Sequence, residues 1–303
     1  MPEHFADRLM AAIKEKDSRV CVGIDPVPER LPAALSAEGD AMERVRTFCT
    51  GILRAVADYA AIVKPNSAFF EALGPAGMAL LHDVVLEAKK LGLLVIVDAK
   101  RNDIGSTAEA YAKSIFGLQV ADASDLPDAV TVNPYLGSNG VTPFIDAADA
   151  VGGGLFVLVK TSNPSSSELQ DLDAGGKPVY RHVADLVDSW GAEHVGESGW
   201  SSVGAVVGAT WPDQLVELRE AMPRTPFLVP GYGAQGGGPA DVLAAFDAEG
   251  LGAVVNSSRG IIYAIDREPW SGRFGPDEWD RAAAAAAEEM RNAINEAMDG
   301  SNN

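Results

Sequence analysis

Eight short runs of apolar, largely β-branched residues recur along this 303-residue chain, and each is followed by a segment long enough for a helix. Nearly unbroken hydrophobicity is typical of strands buried on both faces, as in a parallel sheet covered by helices. The regular alternation favours consecutive βα units. The runs are residues 19–24, 59–63, 93–97, 129–132, 154–159, 202–207, 226–229 and 251–255.

Eight βα units predict a (β/α)8 barrel, or TIM barrel, a fold that typically takes about 250 residues. A barrel gives every run two neighbours, whereas an open doubly wound sheet of eight strands would need extra features at its edges. We therefore expect a single α/β barrel domain over residues 1–303. Two stretches exceed what a barrel requires, so we expect long loops after strand one (26–40) and after strand five (163–201).

Helical periodicity supports the segments between the runs, for example 41–57, 76–91 and 241–246. Gly92 follows the second of these segments and suits the C-terminal cap of a helix. The last residues, 300–303, are expected to form a short disordered tail.

Composition argues against several classes of protein. The net charge is -19, from 43 acidic and 24 basic residues, and this opposes binding to nucleic acid or to anionic membranes. An anionic substrate would therefore need a local basic pocket. Two cysteines, Cys21 and Cys49, are too few for a disulfide framework. No stretch approaches the roughly 18 apolar residues of a membrane span, and residues 1–10 lack the apolar core of a signal peptide, so we expect a cytoplasmic protein.

Polar residues follow the apolar runs where the C-terminal ends of barrel strands meet in one shared opening. For any one of them, a solvated turn residue or a helix cap is the ordinary explanation. Two lysines and three acids at or just after the first three strand ends, with Asp103 as the third acid, are harder to explain in this way. The residues at the strand ends are Asp25, Lys64, Asp98, Lys100, Asn133, Ser162, Gln235 and 257–259.

The segment after the third run contains two candidate catalytic residues. Asp98 and Lys100 are two positions apart, so an extended backbone would place them on the same side. The alternative is a cluster that caps the next helix, with Asp103 or Ser106 as the cap and Glu109 completing a capping box. That alternative explains Ser106 and Glu109, but it gives no reason for Asp98 and Lys100 to follow so apolar a strand.

Residues 98–103 form an Asp-x-Lys-x-x-Asp segment that resembles the hallmark of the orotidine 5'-phosphate decarboxylase family. The loops after strands one and five are longer than in the short-chain branch of that family, whereas segments 161–164, 230–236 and 258–260 resemble its longer bacterial branch. Other segments resemble the family in the expected order, each at a predicted strand end. They are 23–26, 63–66, 103–107, 161–164, 230–236 and 258–260.

The resemblance implies a decarboxylase that converts orotidine 5'-phosphate to uridine 5'-phosphate without a metal or a cofactor. It also implies a homodimer with shared active sites, in which the stretch 103–107 reaches into the site of the neighbouring subunit. The implied catalytic residues are Lys64, Asp98, Lys100 and Asp103, and the implied substrate-binding residues are Asp25, Thr107, Asn133, Ser162, Gln235, Gly236 and Arg259.

These residue types suit that chemistry. Decarboxylation leaves a carbanion at C6 of the pyrimidine, where no neighbouring carbonyl delocalises the charge, so electrostatic stabilisation must supply most of the catalysis. Lys100 is the candidate to stabilise this carbon and protonate it, and Asp98 and Asp103 beside it favour its charged form. Lys64 would balance the two aspartates. Arg259 and the glycine-rich loop that includes Gln235 suit a phosphate.

Three other functions fit parts of the sequence. Magnesium-dependent sugar-phosphate decarboxylases and aldolases share the barrel and the Asp-x-Lys-x-x-Asp segment, but they have an acidic metal ligand where this chain has Lys64. A Schiff-base aldolase using Lys160 or Lys100 would need a lysine away from acids, and Lys100 is the opposite case. A catalytically silent sugar-phosphate binding protein would not need the charged array.

Overall fold

The eight apolar runs form parallel strands that pair in chain order and close into a barrel, with Val20 of the first strand beside Val255 of the last. This computed structural model describes residues 3–37, 39–117, 125–233 and 235–301. The predicted (β/α)8 fold is confirmed. The strands are β1 Val20–Ile24, β2 Ile62–Pro65, β3 Leu94–Arg101, β4 Ala129–Val132, β5 Gly154–Lys160, β6 Val203–Val207, β7 Phe227–Pro230 and β8 Ala253–Ser257.

Helices cover the outside of the barrel, and their apolar faces pack on the strands to form one large core. The bounds of the α-helices are α1 Phe5–Lys16, α2 Ala41–Val56, α3 Ser67–Glu71, α4 Gly74–Lys90, α5 Gly105–Phe116, α6 Ser138–Asp149, α7 Ser167–Gln170, α8 Val179–Gly191, α9 Pro212–Ala221, α10 Arg259–Ile262, α11 Trp270–Arg273 and α12 Trp279–Ser301. Short 3-10 helices lie at Pro28–Arg30, Ala33–Ala37, Pro164–Ser166, Ala240–Ala245 and Ala264–Asp266.

Helix α1 closes the N-terminal end of the barrel. Its residues Phe5, Leu9 and Ile13 are fully buried among side chains that point into the barrel interior. The ring of Phe5 meets the ring of Phe156 edge to face, with the centroids 5.9 Å apart. This packing leaves the C-terminal end of the barrel as the place for a ligand.

A buried carboxylate reinforces the closed end. Asp128, which immediately precedes β4, has a side chain that is only 2% exposed and accepts hydrogen bonds from Arg8 and Lys89. Its second oxygen accepts the backbone N–H of Val95 at 2.8 Å. One side chain thus ties α1, α4 and β3 together.

Several details differ from the predictions. Helix α5 begins at Gly105 after Ile104, and no side chain caps it, so the capping box at Ser106 does not form. The segment 241–246 forms the 3-10 helix Ala240–Ala245 instead of an α-helix. Helix α12 continues to Ser301, while residues 302 and 303 of the expected tail lie outside the described residues. Among the described residues, no helix has the length and hydropathy needed to cross a membrane.

The two long loops contain structure of their own. The loop after β1 forms two short 3-10 helices, Pro28–Arg30 and Ala33–Ala37, and residue 38 lies outside the described part of the chain. The segment 163–201 after β5, called the β5 insertion below, contains α7 and α8. Its residues Asn163 and Gln170 line the opening of the barrel, while α8 packs against β5 and β6.

Candidate active site

A cavity of about 550 Å³ opens at the C-terminal ends of the strands. Six of the eleven predicted site residues line it, which shows that the polar strand ends do converge as a barrel requires. The described residues that line this cavity are Asp25, Lys64, Asp98, Lys100, Thr131, Leu158, Thr161, Ser162, Asn163, Gln170, Val206, Leu228, Pro230, Gln235, Asn256 and Ser258.

Asp98 lies between two lysines at one side of the cavity. Lys64 donates to Oδ2 of Asp98 at 2.8 Å, and Lys100 donates to Oδ1 at 2.5 Å. The side chains of Lys64 and Asp98 are 6% and 7% exposed, whereas that of Lys100 is 48% exposed. Lys64 and Asp98 therefore form a buried ion pair, and Asp98 of this pair holds the ammonium of Lys100 at the cavity surface.

Burial and charge act in opposite directions on this array. Burial alone would lower the pKa of Lys64, but the negative charges of Asp98 and Asp25 outweigh it and raise that pKa above its usual range. Burial would likewise raise the pKa of Asp98, but the charges and hydrogen bonds of Lys64 and Lys100 hold it well below its usual range. Lys64 and Asp98 therefore both carry their charge at neutral pH.

Thr131 orients both ends of the segment 98–100. Its hydroxyl accepts the backbone N–H of Lys100 and donates to Oδ1 of Asp98, both at 2.9 Å. The backbone of Lys100 is left-handed, with φ at 46°, and the pairing of β3 with β4 is irregular between Val97 and Arg101. The extended backbone expected at Lys100 is therefore wrong, although its side chain still meets Asp98. The sequence signal for Thr131 was a polar residue inside an otherwise apolar buried run, and our sequence reasoning did not use it.

Asp25 presents an acceptor to the cavity. Its Oδ1 atom is buried and has no hydrogen-bond partner among the described residues. A buried carboxylate oxygen without a donor is costly, so a ligand that donates hydroxyl groups would satisfy it. This geometry suits the hydroxyls of a sugar.

The glycine-rich loop after β7 turns back on itself beside the cavity. Gly233 donates its N–H to the carbonyl of Gly237 at 2.7 Å, and Gly237 donates to the carbonyl of Gly231 at 3.2 Å. Gln235 lines the cavity, while Gly236 follows it outside the lining, and residue 234 lies outside the described part of the chain.

Arg259 stands at the start of α10, directly after the cavity residue Ser258. It is exposed and has no ion-pair partner within the described ranges, so its guanidinium is available to an anion at the opening. The predicted cation therefore lies next to a lining residue of the cavity, although Arg259 does not itself line the cavity.

Three predicted residues lie farther from the cavity within this chain. Oδ1 of Asp103 accepts the N–H of Ile104 at 2.8 Å, and Oδ1 of Asn133 accepts the N–H of Tyr135 at 3.0 Å. Thr107 is exposed on α5. The predicted four-member array thus has three members in contact in one chain, with Asp103 apart from them.

The rival chemistries meet specific obstacles. Lys160 has no exposed surface, is paired with Asp171, and lies outside the described lining of the cavity. A Schiff base needs an accessible lysine, so Lys160 does not suit one. At the end of β2, Lys64 occupies the position of the acidic metal ligand and already bonds the carboxylate of Asp98.

The sequence matches the Orotidine 5'-phosphate decarboxylase / HUMPS family over residues 18–269. A protein from Rhodopirellula baltica named orotidine 5'-phosphate decarboxylase is 49% identical over 297 residues, which are 96% of this chain and 98% of that protein. The crystal structure of a Toxoplasma gondii protein is 37% identical, covers 98% of each chain and superposes with a TM-score of 0.81. The structure of Leishmania donovani OMP decarboxylase is 34% identical, covers 96% of this chain and 98% of that one, and has a TM-score of 0.74.

The fold and site define a TIM-barrel protein with a lysine–aspartate–lysine array at the C-terminal opening of the barrel. Within that class, the chain belongs to the Orotidine 5'-phosphate decarboxylase / HUMPS family. The family predicted from the strand-end motifs is confirmed.

Proposed function

We propose that this chain decarboxylates orotidine 5'-phosphate to uridine 5'-phosphate, the last step of de novo UMP synthesis. The observation that carries the proposal is the hydrogen-bonded array Lys64–Asp98–Lys100. In this array the partly exposed ammonium of Lys100 is hydrogen-bonded to the buried ion pair of Lys64 and Asp98. Such preorganised charge suits a reaction that generates a carbanion without an electron sink.

In the proposed reaction, the bond between C6 and the carboxylate carbon breaks, carbon dioxide leaves, and the electron pair stays on C6. The Lys100 ammonium stabilises this charge and then transfers a proton to C6, which forms the C–H bond of uridine 5'-phosphate. The neutral amine regains its proton from solvent. Lys64 and Asp98 hold Lys100 in place, since both are buried and bonded in the array.

The remaining site residues bind the substrate in this proposal. The unpaired Oδ1 of Asp25 accepts from the ribose hydroxyls. Ser162 contacts the pyrimidine, and Gln235, Gly236 and Arg259 bind the phosphate around the loops after β7 and β8. Phosphate binding lies remote from C6, so its binding energy can be used to close the site and align the ring.

We also propose that two chains share their active sites. Asp103 and Thr107 would complete the site of the partner subunit, which explains why both lie outside the cavity of their own chain. The exposed apolar side chains Ile104 and Tyr135, 56% and 77% exposed, lie beside them and suit a subunit interface. Asn133, in the same region, stays a predicted substrate contact.

The predicted compartment is the cytoplasm. Cys21 and Cys49 are both buried free thiols in the structure, and this fits a reducing environment.

The test is direct. Purified protein mixed with orotidine 5'-phosphate should produce uridine 5'-phosphate, followed by the change in pyrimidine absorbance, at a rate that a chelator leaves unchanged. Absence of turnover would refute the proposal. Turnover that the chelator abolishes and magnesium restores would instead support the metal-dependent alternative of the same barrel group.

A further inference from the structure

The β5 insertion is built around one buried cation. Lys160, the last residue of β5, has no exposed surface, and its ammonium is paired with Asp171 of the insertion. Ser166 accepts from the same ammonium at 3.4 Å, and the ring of Tyr180 in α8 lies 5.5 Å from it. The ring of Trp211 lies 4.5 Å from the same ammonium. A buried charge is costly unless paired, so this pair fixes where α7 and α8 sit on the barrel.

Gln170 immediately precedes Asp171 and lines the cavity. Its side-chain amide makes two hydrogen bonds with one residue: Oε1 accepts the backbone N–H of Thr161 at 3.0 Å, and Nε2 donates to Oγ1 of Thr161 at 2.8 Å. The ion pair that positions Asp171 therefore also positions an amide that holds the turn after β5.

That turn carries Ser162. The carbonyl of Thr161 accepts from the indole of Trp211 at 2.8 Å, and the carbonyl of Ser162 accepts from Thr210 at 3.2 Å. The backbone of Gly208 passes so close that an added Cβ would lie 2.8 Å from Cα of Ser162. The turn is thus held by residues 208–211, which follow β6, and by the side chain of Gln170.

We propose that Gln170 is a positioning residue for recognition of the substrate's pyrimidine ring, and that the Lys160–Asp171 pair exists to hold it there. This inference rests on the proposed function. It gives the β5 insertion a role in base recognition: Gln170 sets the orientation of the Thr161–Ser162 turn against the ring. Binding of the phosphate and ribose does not depend on Gln170, because Asp25, Gln235 and Arg259 belong to other strand ends.

The experiment compares two ligands by calorimetry on the intact protein. Uridine 5'-phosphate presents phosphate, ribose and pyrimidine, whereas ribose 5-phosphate lacks the pyrimidine. Gln170→Ala should weaken uridine 5'-phosphate binding by about tenfold, the size of one or two lost hydrogen bonds, and should leave ribose 5-phosphate binding within about twofold of wild type. Asp171→Asn should show the same pattern as Gln170→Ala, with weaker binding of uridine 5'-phosphate and nearly unchanged binding of ribose 5-phosphate.

Two matched controls lie in the same insertion. Glu168→Ala changes an exposed neighbour on α7, and Lys177→Gln breaks the Lys177–Asp185 ion pair, which lies outside the cavity lining. Both should bind the two ligands as wild type does. Gln170→Ala keeps the buried ion pair, so it tests the inference even where Asp171→Asn fails to fold.

The outcomes separate cleanly. The inference requires that the wild-type protein turns over orotidine 5'-phosphate. If it does, and Gln170→Ala weakens the binding of both ligands equally or of neither, the inference is overturned. Selective loss of uridine 5'-phosphate binding supports it. A wild-type protein that does not turn over orotidine 5'-phosphate overturns the proposed function and removes the basis of this inference with it.

Discussion

The hydroxyl of Thr131 donates a hydrogen bond to Oδ1 of Asp98 at 2.9 Å while it accepts the backbone N–H of Lys100. Thr131→Val keeps the shape of the side chain and removes both bonds, so the backbone N–H of Lys100 and the carboxylate of Asp98 lose this partner. We expect kcat to fall about tenfold or more, and the free energy of unfolding to fall by about 1–2 kcal/mol. Steady-state kinetics and urea unfolding measure the two effects.

Thr131→Ser is the matched control, because it restores the hydroxyl and removes only a methyl group. It should recover most of the lost kcat. A Thr131→Val enzyme with wild-type kcat would show that the hydroxyl does not orient the array.

Lys100→Ala tests the proposed proton donor. Loss of the ammonium should reduce kcat by at least about a hundredfold, the scale seen when one preorganised electrostatic group is removed. Binding of uridine 5'-phosphate should remain measurable by calorimetry, since the phosphate contacts persist. Lys113→Ala changes an exposed lysine on α5 and should leave both quantities unchanged. An active Lys100→Ala enzyme would eliminate the proposed mechanism.

Mixing two inactive variants tests the shared active sites. Asp103→Ala and Lys100→Ala chains should each be inactive alone. After random subunit exchange, about half of the dimers contain one chain of each variant, and each mixed dimer has one intact shared site. About a quarter of all sites are then intact, so about a quarter of wild-type activity should return. Verified exchange without any recovery would mean that each site is completed within one chain.

Acid should weaken the fold through Asp98. Its pKa in the folded protein lies below the ordinary value of 3.8, so it contributes stability above that pH and loses it as pH falls through the folded-state value. Lys64 has the opposite sign: its pKa lies above 10.5, and its contribution is lost only as pH rises through that higher value. Urea unfolding at a series of pH values below about 5 should therefore show a shallower acid slope for Asp98→Asn than for wild type.

The exposed Asp146 on α6 provides a control for that measurement. Asp146→Asn should reproduce the wild-type slope. Equal slopes for Asp98→Asn and wild type would contradict the lowered pKa of Asp98.

Asp128→Ala tests the closed end of the barrel separately from the chemistry. The change leaves Arg8, Lys89 and the N–H of Val95 without their shared acceptor, and it should cost about 3–5 kcal/mol of unfolding free energy. The kcat of the folded enzyme should stay at the wild-type value, because Asp128 lies at the opposite end of β4 from the cavity. Denaturant unfolding measures the loss of stability, and kinetics below the unfolding transition measure kcat. A lowered kcat would show that the two ends of the barrel are coupled.

The strands were predictable because burial on both faces leaves a local signal in the sequence. The C-terminal end of β3 was not predictable from the sequence. The strand continues to Arg101 through polar residues, and this continuation depends on Thr131 of the next strand. The expected capping box at Ser106 was wrong for a related reason: the chain enters α5 through Ile104, and its path is set by the preceding strand end.

The site also contains residues that the sequence predicts and residues that it does not. Lys64, Asp98 and Lys100 could be predicted because each follows or ends an apolar run. The roles of Thr131 and Gln170 could not be predicted, because they depend on contacts made only in the folded chain. Thr131 stands out only as a polar residue in an apolar run, and threonine is common in strands. In the proposed dimer, Asp103 joins the active site of a second chain, whose position the sequence of one chain does not determine.

Helix α1 also governs how molecules enter and leave. Because its apolar residues fill one end of the barrel, the cavity communicates with solvent through the other end. In the proposed reaction, the substrate and both products pass through this opening, so carbon dioxide leaves either past the bound nucleotide or after it. Gln170 and Gln235 border that opening, so the segments after β5 and β7 lie along the path of the substrate and both products.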